Sequence, residues 1–368
     1  VDSPRCACAV SEEMAQLLRK RLARDGIQGV HVLAYVDDYL LVGDTEELAR
    51  TGARYLEGLF AEFGMIWAPH KRRGPAQVIE FLGLLINNSP VAPRGIGLSS
   101  SRQALLRSMV DEWSRKAPPP SEPFASVRVD PRELARLLGH LVFASQVIPG
   151  GRVYMQCMLA SFSGLVVDWR RGTVTVRHGA PQAMVVPPGF WRDLDWWDEH
   201  LELRNCLPLA PDRPAAAAIM AGTDASDFAA GQLIYLNGSK EETTLVFTET
   251  EKRRPINWRE LLGILRVVEV WGGRLAGSRL LIETDNMVAW ATASKGHSKA
   301  EDMQELLRRL YELCCRHEIE LVLSHTPGER LDRPDQISRG AAADEPRARL
   351  RPSFYRSLER AFGPFTDF

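Results

Sequence analysis

The chain has 368 residues, 45% hydrophobic and 25% charged, and its 46 Lys and Arg against 47 Asp and Glu give a formal net charge of −1. That balance excludes a chain drawn to nucleic acid or an acidic membrane by its total charge, so any basic surface has to be local. The composition is that of a globular protein with room for two or three domains, and no apolar run reaches the length of a membrane span.

The first residues, VDSPRCACAV, form neither a signal peptide nor a methionine start and read as the beginning of a piece cut from something longer. The six cysteines (Cys6, Cys8, Cys157, Cys206, Cys314, Cys315) make no CxxC pair and no Cys/His spacing suited to zinc, which points to a reduced, intracellular setting.

Residues 11–24 carry Met14, Leu17, Leu18 and Leu22 at helical spacing, with Ser11 as the expected N-cap and Gly26 beyond the end. VHVLAYVDDYLLVG follows, two β-rich arms flanking Asp37 and Asp38, the pattern of a tight hairpin with the aspartates at its tip. Two carboxylates about 4 Å apart repel by roughly 4 kcal/mol at an effective dielectric near 20, and each costs free energy to desolvate, so the pair needs a compensating partner. A second helix ends near Gly64, and VIEFLGLLIN reads as another apolar hairpin or strand pair.

Residues 99–116 predict a serine-capped helix broken by PPPSEP, and RELARLLGHLVFASQVIPGGR predicts one more. Arg102, Arg107, Arg115, Lys116, Arg128, Arg132, Arg136 and Arg152 make this stretch basic, and solvated helix faces are favoured over a nucleic-acid track. From about residue 213 the pattern changes to three strands, the second closed by Asn237-Gly238, and then to alternating helices and strands. That order implies a mixed sheet flanked by helices.

Four acids in this later region sit where a bland fold would not put them. Asp224 follows the apolar run AAIMAGT, and Glu260 shares a helical stripe with Ile264, Val267 and Trp271. Asp285 ends the strand LLIET, and Asp335 lies in the loop or helix start after LVLSH. Taken singly, Asp224 reads as a turn former, Glu260 as a snorkelling side chain, Asp285 as an N-cap and Asp335 as unremarkable. Taken together, acids from strand ends and a helix converge at one end of a sheet, where cations must neutralise them; carboxylate-only ligation suits Mg²⁺ or Mn²⁺, and two such ions clamp the oxygens of an in-line phosphoryl transfer.

These residues carry a resemblance. Tyr35, Val36, Asp37 and Asp38, preceded by an amphipathic helix and followed by FLGLLI, resemble the reverse transcriptase palm, and Phe81, Leu82 and Gly83 resemble the start of its primer-grip hairpin. TDAS, NWREL, ETDN and PDQISR at 213–340 resemble the RNase H domain of retroelement polyproteins, and RELARLLGHLVFASQVIPGGR with FWRDLDWWDEHL resembles the thumb and connection of DIRS-like retrotransposons.

The resemblance implies an α+β and α/β chain. Residues 1–95 would be a partial palm with the YVDD hairpin, 96–165 a helical thumb, 166–212 a connection, 213–340 an RNase H-like mixed sheet flanked by helices, and 341–368 a C-terminal tail. Asp37 and Asp38 would ligate the metals of nucleotide addition, with Tyr35 beside the primer terminus and Phe81, Leu82 and Gly83 on the substrate. Asp224, Glu260, Asp285 and Asp335 would be the RNase H metal ligands. Each site would take two Mg²⁺ or Mn²⁺ ions, and the partners would be an RNA/DNA hybrid and, in the full-length parent, template-primer and dNTP, with no membrane.

Three departures accompany it. The family's further upstream palm aspartate and its fingers are both missing, so the chain as given is expected not to polymerise alone. PGERLDRPDQISR places Leu331 and Asp332 where the family pattern has an asparagine near the last acid; Asp335, followed by ISR, is the better match and Asp332 the fallback. His325 lies near a catalytic histidine position of cellular RNases H but precedes the Pro-Gly turn, which favours a packing role. The reading is thus a reverse transcriptase and RNase H fragment. The alternatives are a chain active only as RNase H and a non-catalytic nucleic-acid-binding remnant.

Overall fold

The computed structural model describes residues 3–66, 68, 71–90, 94–119, 121–122, 127–176, 181–209, 219–328 and 331–340. The expected tail at 341–368 and the strand lead-in at 213–218 lie outside these residues, as do parts of the PPPSEP break. The chain forms two compact units, one of Val1–Ala117, Glu133–Pro149 and Asp195–Pro211, the other of Pro118–Arg132, Gly150–Leu194 and Asp212–Phe368.

In the first unit α1 (Ser3–Arg24) leads to an antiparallel hairpin of β1 (Val30–Tyr35) and β2 (Asp38–Gly43), followed by α2 (Glu46–Glu62). The apolar stripes of the two helices close on the hairpin, with Met14, Leu18, Leu22, Val32, Leu56, Leu59 and Phe60 forming the core. The serine predicted to start α1 lies instead inside it. The helix begins eight residues earlier, at Ser3, and Ser11 is buried with its hydroxyl donating to the Val36 carbonyl.

Next come β3 (Val78–Phe81), β4 (Leu84–Asn87) and β5 (Gly95–Leu98), in a four-stranded antiparallel sheet completed by β11 (Leu207–Pro208). The predicted second hairpin is present, and Leu82 and Gly83 turn it with φ of 52° and 78°. Helices α3 (Ser100–Ser114) and α4 (Pro131–Ala144) follow. Ser99 takes the N-cap position of α3 without a capping side-chain bond. Several predicted basic residues are engaged within the fold: Arg107 pairs with Asp111 and Asp198, and Lys116 with Glu112 and Glu133.

The second unit pairs β6 (Val127–Val129) with β10 (Met184–Val186) and stacks β7 (Leu165–Asp168), β8 (Thr173–Val176) and β9 (Pro181–Gln182) in a small sheet; α5 (Gln156–Ala160) and the part of α6 (Pro188–His200) up to Leu194 accompany them. Its main sheet contains β12 (Ile219–Ala225), β13 (Ala229–Leu236), β14 (Ser239–Val246), β15 (Arg279–Thr284) and β16 (Glu320–His325), in the order β14-β13-β12-β15-β16. β12, β15 and β16 run parallel and the other two antiparallel, the mixed sheet expected from the sequence. Asn237 and Gly238, at φ 52° and 77°, make the predicted turn between β13 and β14.

Helices α7 (Glu249–Lys252), α8 (Ile256–Trp271), α9 (Met287–Lys295), α10 (Glu301–Arg316) and α11 (Asp332–Gly340) surround this sheet. Two glycine-dependent approaches set α8 and α11 on opposite faces. A Cβ at Gly263 of α8 would stand 2.7 Å from Thr223 Oγ1, and one at Gly222 would stand 3.2 Å from Pro334 of α11. Residues 222 and 223 alternate across the sheet, so the helices do too. No described helix is long and apolar enough to cross a membrane, and all six cysteines are free thiols.

Candidate active site

Strand register builds the centre of the second unit. β12 and β15 are parallel neighbours with Gly222 level with Glu283. Two residues further on, Asp224 and Asp285 therefore emerge side by side at the carboxyl end of the sheet. α8 adds Glu260, whose stripe partners Ile264, Val267 and Trp271 are all buried, as its spacing predicted. One carboxylate oxygen from each of Asp224, Glu260 and Asp285 lies within 4.8 Å of the others.

Each acid is held differently. The Ala225 N–H donates to Glu260 Oε1 at 3.1 Å, while Glu260 Oε2 is buried without a hydrogen-bond partner. A buried carboxylate with one orphaned oxygen costs free energy that a cation recovers, and an all-oxygen donor set fits Mg²⁺ or Mn²⁺. Burial, with the charges of Asp224 and Asp285 added, pushes Glu260 up to about 8 despite the Ala225 N–H and Arg259. Asp224 is also raised, by burial first, with Asp285 and Asp335 adding to it and the Ser338 hydroxyl opposing.

Asp285 does not cap the following helix. Asn286 is the N-cap of α9, accepting from the Ala289 N–H at 2.9 Å, which leaves the Asp285 carboxylate to the site. Gly328 passes over it; a Cβ there would stand 3.1 Å from Asp285 Oδ2. His325 ends β16 with Nε2 3.0 Å from the Asp285 backbone oxygen and its ring edge-on to Trp290, so it braces the main chain of the site.

Asp335 lies in α11. Its charge acts on Asp224, but its carboxylate is taken by Arg339 Nε at 2.5 Å, and it is not among the three converged acids. The side chain of Asp332, the fallback, lies outside the described residues.

In the first unit Tyr35 pairs with Asp38 across a two-residue loop of Val36 and Asp37. Asp38 thus opens β2, one residue past the predicted tip. Both aspartates are exposed, so the desolvation cost expected from the sequence does not arise and water screens their repulsion. Phe81, Leu82 and Gly83 are half-buried at the β3–β4 turn, where a Cβ on Gly83 would overlap Arg102 of α3 at 2.0 Å.

No family model and no curated protein matches the chain. Among solved structures it is similar to a foamy viral protease-reverse transcriptase dRH in complex with double-stranded DNA, at 16% identity and TM-score 0.42 over 88% of this chain and 49% of that one. A foamy viral protease-reverse transcriptase in complex with RNA/DNA hybrid gives 17% and 0.37, over 85% and 38%. RNase H1 from the halophilic archaeon Halobacterium salinarum NRC-1 gives 16% and 0.29, over 35% of this chain and 99% of that one. The chain spans about half of the first foamy viral chain, at 49%.

Sequence reasoning missed the side chains that support the acids. Arg259, beside Glu260, is buried and donates to the Ser226 carbonyl at 2.8 Å and to Asp227 at 2.9 Å, fixing the turn that follows Asp224. Ser338 is buried with its hydroxyl 3.0 Å from Asp224 Oδ2. Gly231, directly opposite Asp224 in the β12–β13 ladder, was the available signal, because a glycine inside a strand marks a close approach of another backbone.

Proposed function

We propose that this chain is a reverse transcriptase and RNase H region of a retroelement of the DIRS-like kind, and that its second unit hydrolyses the RNA strand of RNA/DNA hybrids. One observation carries the reading: Asp224, Glu260 and Asp285 bring carboxylate oxygens within 4.8 Å of one another at the carboxyl end of adjacent parallel strands.

Asp224, Glu260 and Asp285 would hold Mg²⁺ or Mn²⁺, with Asp335 the fourth ligand for a two-ion site. When bound, the ions supply an activated water and charge stabilisation at the leaving 3′-oxygen. The chain's own residues position this chemistry. The Ala225 N–H fixes Glu260, the Asn286 cap spares Asp285, and His325 steadies the backbone behind it. The hybrid would be read through its shape, phosphates and 2′-hydroxyls. For the β1–β2 hairpin the proposal is nucleotide addition on a template-primer in the parent protein, through Asp37 and Asp38.

The test is cleavage of an end-labelled RNA/DNA duplex by the full chain. Magnesium-dependent cleavage is expected to fall by more than about 100-fold in Asp224→Asn, since loss of a ligand costs more than loss of its outer partners. Cleavage unchanged by that substitution rules the site out. Salt-sensitive hybrid binding without turnover in Mg²⁺ or Mn²⁺ would instead mark a non-catalytic binding protein.

A further inference from the structure

We propose that Ser338 is a positioning residue of this site, whose hydroxyl holds Asp224 by one carboxylate oxygen and leaves the other for a divalent cation. The inference rests on reading Asp224, Glu260 and Asp285 as the cation site. Ser338 is fully buried in α11 and its Oγ lies 3.0 Å from Asp224 Oδ2 and 2.9 Å from the Asp335 carbonyl oxygen. A hydroxyl has one proton to give, and an anionic carboxylate is the stronger acceptor, so the bond goes to Asp224.

The fold is arranged to permit this contact. Gly231 faces Asp224 across the ladder, and a Cβ there would stand 2.1 Å from the Pro334 carbonyl oxygen and 2.4 Å from the Ser338 nitrogen. The absence of a side chain at Gly231 lets α11 settle onto the sheet and bring Ser338 to Asp224. From the other side, the Ser226 hydroxyl, in the turn after β12, is 3.1 Å from the Ser338 carbonyl oxygen.

Glu260 follows the same rule: the Ala225 N–H engages Oε1 and Oε2 has no partner. One oxygen of each buried acid is thus tied to the protein and one left over. That division selects the rotamer of Asp224 before any ion arrives, so binding need not order it.

The experiment measures Mn²⁺ binding to the full chain from the electron paramagnetic resonance signal of free Mn²⁺, with folding followed by circular dichroism. Ser338→Ala is expected to weaken Mn²⁺ binding about 10-fold, the usual loss on removing an outer partner of a ligand. Arg333→Gln frees the same helix from Glu242 of β14 without touching Asp224 or the turn after it, and is expected to leave the affinity unchanged. An unchanged affinity in Ser338→Ala overturns the proposal, as does an equal loss in Arg333→Gln, which would reduce Ser338 to a packing residue. Should Ser338→Ala not fold, Ser338→Cys, with a weak donor of similar size, is read in the same way. Asp224→Asn separates the two layers: if wild type binds Mn²⁺ and Asp224→Asn does not, the site stands whatever Ser338 does. If Asp224→Asn binds Mn²⁺ like wild type, the site and the proposal fall together.

Discussion

The Ser11 hydroxyl in the middle of α1 donates to the carbonyl oxygen of Val36 at the tip of the β1–β2 hairpin. Val36 has φ 55°, a conformation that a β-branched side chain resists at a cost of about 1–3 kcal/mol. The bond fixes the turn that presents Asp37 and Asp38. Ser11→Ala is expected to destabilise the hairpin by about 1–2 kcal/mol, because the Val36 carbonyl loses its donor. Val36→Asn, which tolerates positive φ, is expected to stabilise it by about 1 kcal/mol. Native-state hydrogen exchange of the hairpin amides reads both; a neutral Val36→Asn would show that the turn is not strained.

Glu260 predicts a pH dependence with a definite sign. Its folded-state value near 8, set by burial and then by Asp224, lies above its ordinary value of 4.5. Between these two values the folded state retains a proton that the unfolded chain releases. Stability from this group is therefore complete below about pH 4.5 and lost as pH rises through about 8, amounting to a few kcal/mol. In chelator, the second unit should be more easily denatured by urea at pH 8 than at pH 5, and Glu260→Gln should flatten that slope. Divalent ion should raise stability more at pH 8, where the free carboxylate is present. A slope identical in Glu260→Gln would place the titration elsewhere.

Asp193 of α6 and Arg308 of α10 form a buried pair at 2.8 Å, with side chains 0% and 4% exposed. The Cys157 N–H also donates to Asp193, and burial raises the Asp193 carboxyl against the pull of Arg308. Asp193→Ala leaves the buried guanidinium with only the exposed Glu305 as its anion, at an expected cost of about 3 kcal/mol; replacing both partners by Leu and Met should cost far less. Tyr154 and Val153 extend this connection, bonding Glu312 and Gln304 of α10 at 2.6 Å each. A fragment starting at 213 would strip all three contacts, so it should unfold at lower denaturant than one starting at 118.

What was legible in the sequence was local. Asn237-Gly238 announces a turn because its backbone needs positive φ, VIEFLGLLIN shows a strand pair by its apolar run, and the stripe Glu260, Ile264, Val267, Trp271 shows which way a helix faces. Register made the site readable too, since acids just past parallel strands converge wherever those strands pair. The supports were not legible. Ser338 lies 114 residues from Asp224 and Arg308 lies 115 from Asp193, and no periodicity links such partners. Ser11 was misread for a related reason: a serine early in an apolar stripe looks like a cap unless the Val36 carbonyl it serves is known.

Asp335 and Arg339 give the last prediction. Their ion pair at 2.5 Å has side chains 39% and 69% exposed, so solvent screening limits it to at most about 1 kcal/mol. If Asp335 is the fourth ligand of a two-ion site, a cation must take its carboxylate from Arg339, and the pair acts as a weak competitor. Arg339→Gln should then lower the Mg²⁺ concentration for half-maximal cleavage by up to about 5-fold, the equivalent of that pair energy. Asp335→Asn should reduce cleavage less than Asp224→Asn, because Asp335 stands outside the three converged acids. A higher Mg²⁺ requirement in Arg339→Gln would reverse the assignment: the guanidinium would then be holding substrate phosphate, and its contact with Asp335 would be a resting position.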